Sequence, residues 1–171
     1  MGLWDELGCH QREPSWWQRG TKAVAATAPG ARVFGLTQRH LDRLTERVTG
    51  GRYNATQPLS ALPTITLTTT GARSGARRDT YLVAVPAGGD VAVIGTNYGR
   101  HTPGWVHNLR ADPEVEVRLG QRTLAATARQ LHGPEAEAVW ATARSLYSGF
   151  ASYPVRAAHR EITVWLLSAR P

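Results

Sequence analysis

The sequence is short of several residue types, and each shortage removes a class of function. Cys9 is the sole cysteine of 171 residues, so no intramolecular disulfide can form and no thiolate cluster can hold a metal. The histidines, His10, His40, His101, His107, His132 and His159, lack the paired spacing of metal ligands, and no metal site is expected. No apolar run is long enough to cross a bilayer. The opening MGLWDELGCHQREPSWW carries early acids and no continuous apolar core, unlike a secretory signal. A soluble, cytoplasmic protein is therefore expected. Lysine is nearly missing as well: Lys22 is the only one, so the net charge of +7 rests almost wholly on arginine. Arginine makes planar, forked hydrogen bonds to phosphate and carboxylate that lysine cannot. An acidic small molecule, a nucleic acid or an anionic membrane surface would each suit that excess.

What is present suits one globular domain, with 42% hydrophobic and 19% charged residues. Residues 1–28 are tryptophan-rich, with Trp4, Trp16 and Trp17, and read as an amino-terminal arm, surface helix or lid; 29–171 read as the domain proper. Helical spacing of Phe34, Leu41, Leu44 and Val48 predicts a helix over about 31–49, closed by Gly50-Gly51. The period then changes. Thr64–Thr70, Tyr81–Val85 and Val91–Thr96 read as strands, with Gly88-Gly89-Asp90 as a hairpin turn. Glu114–Leu119 and Arg122–Leu131 form a second hairpin about Gly120-Gln121. Between them Thr102 is expected to cap, and Pro103 to open, a short helix that Asp112-Pro113 ends. Gly133-Pro134-Glu135 opens a longer helix to about Tyr147, and Ile162–Leu167 is a last strand. Strands in hairpins rather than βαβ units predict an α+β fold: an antiparallel β-barrel with flanking helices.

Several chemical signatures fail. Gly71–Gly75 has neither the spacing nor the Lys-Ser/Thr of a phosphate-binding P-loop, and a strand rather than a helix follows it. Ser74 lacks a nucleophile-elbow context. Three segments remain. The bend GARSGARR, residues 71–78, reads either as a hairpin tip with solvated arginines or as an anion cradle of backbone amides and guanidinium groups. Residues 95–100, GTNYGR, pass from a strand end into a glycine loop. Tyr147, Phe150 and Tyr153 recur every three residues, a stripe that usually packs a helix onto a core.

Together, LTTTGARSGARR, IGTNYGRHTPGWVHNLRADPEVEV and LHGPEAEAVWATARSLYSGFASYPVRAAHREITVWLL resemble the deazaflavin-dependent nitroreductase/quinone reductase family, which uses coenzyme F420. The resemblance covers roughly residues 29–171 and implies a split β-barrel related to flavin mononucleotide (FMN)-binding proteins. It implies that Arg73, Ser74, Gly75 and Arg78 hold the coenzyme's phosphodiester and acidic tail. Gly95, Thr96, Asn97, Tyr98, Gly99 and Arg100 would meet the ring and phosphate. Pro103, Gly104, Trp105 and Asn108 would close the site, with Trp105 along the coenzyme. Tyr147, Phe150 and Tyr153 would face the substrate, and Tyr147, Tyr153 and Tyr98 are the candidate proton donors. Ala72 stands where many relatives have a second basic residue, so Arg77 or Arg100 is expected to substitute.

The implied activity is hydride transfer from F420H2 to a quinone, nitroaromatic or activated alkene, with a small-molecule acceptor as partner. Two alternatives are an FMN-dependent oxidoreductase on the same barrel and a non-catalytic coenzyme-, lipid- or haem-binding protein. Nucleic acid is not expected, because the basic residues are dispersed and form no aromatic-basic stripe along a strand. Trp16 and Trp17, with Arg19 and Lys22, would suit a peripheral contact at the inner face of the membrane, or a helix packed on the barrel.

Overall fold

The computed structural model describes residues 2–9, 63–96, 101–147, 150, 151, 153, 159 and 161–170. The helix expected over 31–49 lies outside these residues. The strands among these residues are β1 (Thr64–Thr70), β2 (Arg77–Val83), β3 (Val85–Ala87), β4 (Asp90–Ile94), β5 (Glu114–Leu119), β6 (Arg122–Leu131) and β7 (Val164–Ala169). They form one seven-stranded sheet in the order β2-β1-β5-β6-β7-β4-β3. Every pairing is antiparallel. Three strands separate β1 from β4 in that order, yet Ile65 and Leu67 of β1 share one buried cluster with Val91 and Val93 of β4. Only a curled sheet brings them together, and the molecule is the half-barrel that hairpin patterning predicts.

Side-chain alternation divides the core in two. On β4 and β7, Val91, Val93, Trp165 and Leu167 point into the barrel, where helix α2 (Gly104–Ala111) adds Trp105, Val106 and Leu109. From the opposite face of the same strands, Ala92, Ile94 and Val164 meet Val139, Trp140 and Ala143 of helix α3 (Gly133–Leu146). Arg129 of β6 grips Glu135 with two 2.9 Å hydrogen bonds, tying the first turn of α3 to the sheet.

Four local expectations are corrected. β2 starts at Arg77, not Tyr81, because β1 pairs along its whole length, from Thr64↔Val83 to Thr70↔Arg77. The strand breaks at Ala84, whose N–H donates to the Pro63 carbonyl at 2.8 Å, and resumes as β3 at the sheet edge, where Pro86 costs no ladder bond. Thr102 does not cap α2; Pro103 holds the cap position in extended backbone, with no side-chain cap. Finally, α3 stops at Leu146 as expected to within a residue, but Tyr147 is extended at φ −155°, ψ 115°, so the aromatic stripe does not continue α3; Phe150 and Ala151 form a 3-10 turn beyond it.

The described part of the amino-terminal arm, residues 2–9, completes the core. Helix α1 (Leu3–Leu7) buries Leu3, at 0% exposure, together with Leu7 and Cys9. Leu3 N–H donates to Asp90 Oδ1 at 2.9 Å, and Trp4 N–H to the Gly89 carbonyl at 2.9 Å. Asp90 Oδ2 accepts from Ser168 Oγ at 2.7 Å, so one carboxylate joins α1, β4 and β7. Gly2 is pressed so close that a Cβ there would sit 2.2 Å from the Gly89 carbonyl oxygen. This attachment lies at the start of β4, whereas Gly95 follows its other end. Burial pushes the Cys9 thiol up to about 11, so it stays protonated and inert. Trp16 and Trp17 lie outside the described residues.

If α1 is core, Leu3→Ala should lower the unfolding free energy by about 2–5 kcal/mol, the usual cost of emptying a fully buried leucine site. Urea denaturation measures it; a change below about 0.5 kcal/mol, the range of ordinary surface substitutions, would mean that the segment merely rests on the barrel.

Candidate functional site

The bend between β1 and β2 spans 71–76 and is held by its own backbone. Gly71 N–H donates to the Ala76 carbonyl at 2.8 Å, and the Gly71 carbonyl accepts from Ser74 N–H at 3.1 Å and Gly75 N–H at 2.7 Å. Ala76 N–H donates to Ser74 Oγ at 3.3 Å. Gly71 has no room for a side chain: a Cβ would lie 2.7 Å from Ser74 Oγ and 3.0 Å from the Ala76 carbonyl. Ala72 N–H donates to Asn108 Oδ1 of α2 at 3.0 Å. The amides of 71, 72, 74, 75 and 76 are therefore spent inside the protein. An anion held at this bend would therefore meet mainly side chains, with the Arg73 amide as the one bend N–H not given a partner inside the protein.

The three arginines have separate environments. Thr68, Thr70, Arg77, Asp79 and Glu116 share the outer sheet face, where Arg77 meets Glu116 at 2.5 Å. The hydrogen bond from Arg77 holds the Glu116 carboxyl below the usual range and raises the guanidinium pKa in turn. Arg78 pairs with Thr69 and takes the inner phase of β2, with Thr80 and Leu82. Arg73 is exposed on the bend. Among the described residues neither Arg73 nor Arg78 forms an ion pair with a carboxylate. Arg77, expected as a substitute for the basic residue absent at Ala72, is paired with Glu116 on the other face. The two guanidinium groups left over fit an acidic ligand.

Around the bend, Asn108 also donates from Nδ2 to Thr69 Oγ1 at 2.9 Å. Pro103 is buried and Gly104 exposed, with open space where its Cβ would be. Trp105, expected along the coenzyme, is a barrel-core residue at 5% exposure. Gly95 N–H donates to the Thr163 carbonyl at 2.9 Å, and a Cβ at Gly95 would lie 3.3 Å from Val106 Cγ2 of α2. Thr96 is half-buried. Asn97, Tyr98, Gly99 and Arg100 lie outside the described residues.

The aromatic stripe occupies the other side of the sheet. Phe150 is buried, at 6% exposure, with ring centroids 6.3 Å from Trp140, 6.1 Å from Tyr147 and 5.6 Å from Tyr153. It packs this cluster, while Tyr147 and Tyr153 remain half-buried at its flanks. Among the described residues the bend and α2 come together as one unit, and the aromatics as a second. No three His, Cys, Asp or Glu side chains among these residues are placed to hold a metal ion. No described helix is long and apolar enough to cross a membrane.

Sequence reasoning missed Thr69 and Glu116. Thr69 sits on the inward phase of β1 behind Leu67, and a polar residue at a buried strand position signals a hydrogen-bond partner. Glu116 offered no signal beyond its phase, since its register opposite Thr68 emerges only from long-range pairing.

This architecture is shared with known proteins. The family model described as F420H2-dependent quinone reductase matches residues 37–169. A protein named F420H2-dependent quinone reductase in Mycobacterium tuberculosis is 33% identical over 112 residues, covering 64% of this chain and 74% of the relative. The solved structure of an F420-H2 dependent reductase is 36% identical, with a TM-score of 0.56 over 61% of this chain and 93% of its own. A second solved structure, described as a domain-swapped dimer, is 32% identical, with a TM-score of 0.58 over 82% of this chain and 99% of its own. The fold makes the molecule a split-barrel protein. The chain belongs to the F420H2-dependent quinone reductase family, a family of oxidoreductases.

The Arg77–Glu116 pair gives a pH signature. A depressed carboxyl adds stability above the ordinary carboxylate range, and that contribution is lost as pH falls through its lowered pKa. Glu116→Gln should therefore destabilise slightly at neutral pH, as both groups are largely solvated, and the deficit should close in acid. Thermal melts across pH test it; a deficit that persists in acid would exclude the ion pair as its source.

Proposed function

We propose that this protein binds coenzyme F420 through the arginine bend and uses its reduced form to reduce a quinone, with nitroaromatics and activated alkenes as further acceptors. The observation that carries this is the unneutralised pair Arg73 and Arg78, inside the stretch matched by the family model. The mycobacterial relative's name supports the coenzyme and the acceptor class. When bound, the coenzyme supplies a hydride from its ring.

The chain's own groups do the rest. Arg73 and Arg78 grip the phosphodiester and acidic tail by charge-assisted forks. Ser74 Oγ, which already accepts from Ala76 N–H, keeps its hydroxyl hydrogen for an outside oxygen. Gly75, with Gly95, Thr96, Asn97, Tyr98, Gly99 and Arg100, lines the path from tail to ring, and Pro103 with Gly104 closes it at the start of α2. Tyr147, Tyr153 or Tyr98 delivers the proton to the acceptor oxygen, where a phenol bonds to developing oxyanion charge. Holding donor and acceptor in one dry site removes the entropy of their encounter.

Titration with F420 should be saturable, and reduced coenzyme should be oxidised only when menadione is added. Arg73→Ala and Arg78→Ala should each weaken F420 binding about tenfold, as expected for lost hydrogen bonds to a charged group, with a loss that shrinks as salt rises. Tight FMN binding with no response to F420 would overturn the assignment. For a membrane-borne quinone, Trp16, Trp17, Arg19 and Lys22 are the groups for a peripheral contact; failure to cosediment with anionic vesicles would remove it.

A further inference from the structure

We infer that Asn108 is a positioning residue for Arg73 and Arg78, acting through a hydrogen-bond relay with Thr69 instead of contacting the coenzyme. The inference rests on the F420 reading above.

Both ends of the Asn108 amide are occupied. Ala72 N–H can only donate, so it sets Oδ1 toward the bend, at 3.0 Å, and leaves Nδ2 to donate to Thr69 Oγ1 at 2.9 Å. Thr69 then has its own hydrogen for the Arg78 carbonyl, 3.4 Å away. The relay begins on the backbone just before Arg73 and ends on the backbone of Arg78. Its middle is protected, since Thr69 is 2% exposed and the Asn108 amide is its partner there. Ala72, in contrast, is exposed, so water can replace Asn108 at that end. Losing Asn108 therefore loosens the bend without unfolding the barrel, and the quantity released is the spacing between two guanidinium groups. Two cations grip one polyanion jointly only while that spacing is held; once released, the ordering cost falls on the binding step.

The test is a fluorescence titration of F420 into the full-length protein and its Asn108→Ala, Thr69→Val and Thr69→Ser variants. Kd should rise about tenfold in Asn108→Ala and Thr69→Val, the scale of a hydrogen bond to a buried group. Thr69→Ser, which keeps the hydroxyl, should stay within about twofold of wild type. KM for F420H2 should follow Kd, with the loss concentrated in KM rather than kcat. In an Arg73→Ala background, Asn108→Ala should cost much less than its tenfold, because acting through Arg73 makes the two non-additive. Without any coenzyme, hydrogen exchange at the Ala72 amide should accelerate in Asn108→Ala. Additive losses, or unchanged Kd in both relay variants, overturn the positioning role alone; a wild type that binds no F420 overturns the function with it. Should Asn108→Ala fail to fold, the Thr69→Val and Thr69→Ser pair decides.

Discussion

β4 and β7 have almost no solvent face, and the rest of the molecule is arranged around that constraint. An antiparallel sheet commonly keeps one side wet. Here Val91 and Val93 face the barrel while Ala92 and Ile94 face away from it, and all four are buried. Two coverings are then required. α3, with Val139, Trp140 and Ala143, supplies the outer one. α1 and α2 supply parts of the inner one, entering from segments far apart in the chain. The aromatic cluster around Phe150 extends the outer covering past the end of α3, which accounts for its burial better than substrate contact does.

Charge follows the same division. Arg77 and Arg78 are neighbours in sequence, but the strand period turns them to opposite faces. On the outer face arginines meet carboxylates: Arg77 with Glu116, Arg118 with Asp79, Arg170 with Glu114. Arg78 is turned to the other face, and its carbonyl accepts from Thr69. A single step along β2 therefore separates a neutralised surface arginine from one left to an outside anion. A one-residue slip in the β1–β2 register would exchange them.

Most of the sheet was legible in the sequence, and the reasons are local. β5 and β6 announce themselves by alternation around Gly120-Gln121, and α3 by Gly133-Pro134-Glu135. Membership of the barrel family was legible from three motifs in order. The arginines were legible as a group, but not their division, because pairing with β1 makes Arg77 and Arg78 strand residues and no local propensity favours that. The Asn108–Ala72 bond joins positions 36 apart, a distance over which residue pattern carries no signal. α1, five residues long, is too short for periodicity to rank it above a loop. Trp105 and Phe150 show the remaining limit: an aromatic ring suits a core and a ligand site equally, and only the packing around it decides.

The position of β7 carries a kinetic consequence. It is the last of the strands in chain order, yet it lies between β6 and β4 in the sheet. As the chain leaves the ribosome, β4 and β6 must wait with open edges until more than thirty residues beyond β6 have been made. The sheet is thus completed by insertion instead of growth at a margin, a non-local step that slows folding. In that interval the two halves of the barrel are joined by covalent chain but by no β7 ladder. An extended strand from another molecule could then compete for the same slot, which makes a crowded ribosome or a high expression level the natural source of misassembled protein.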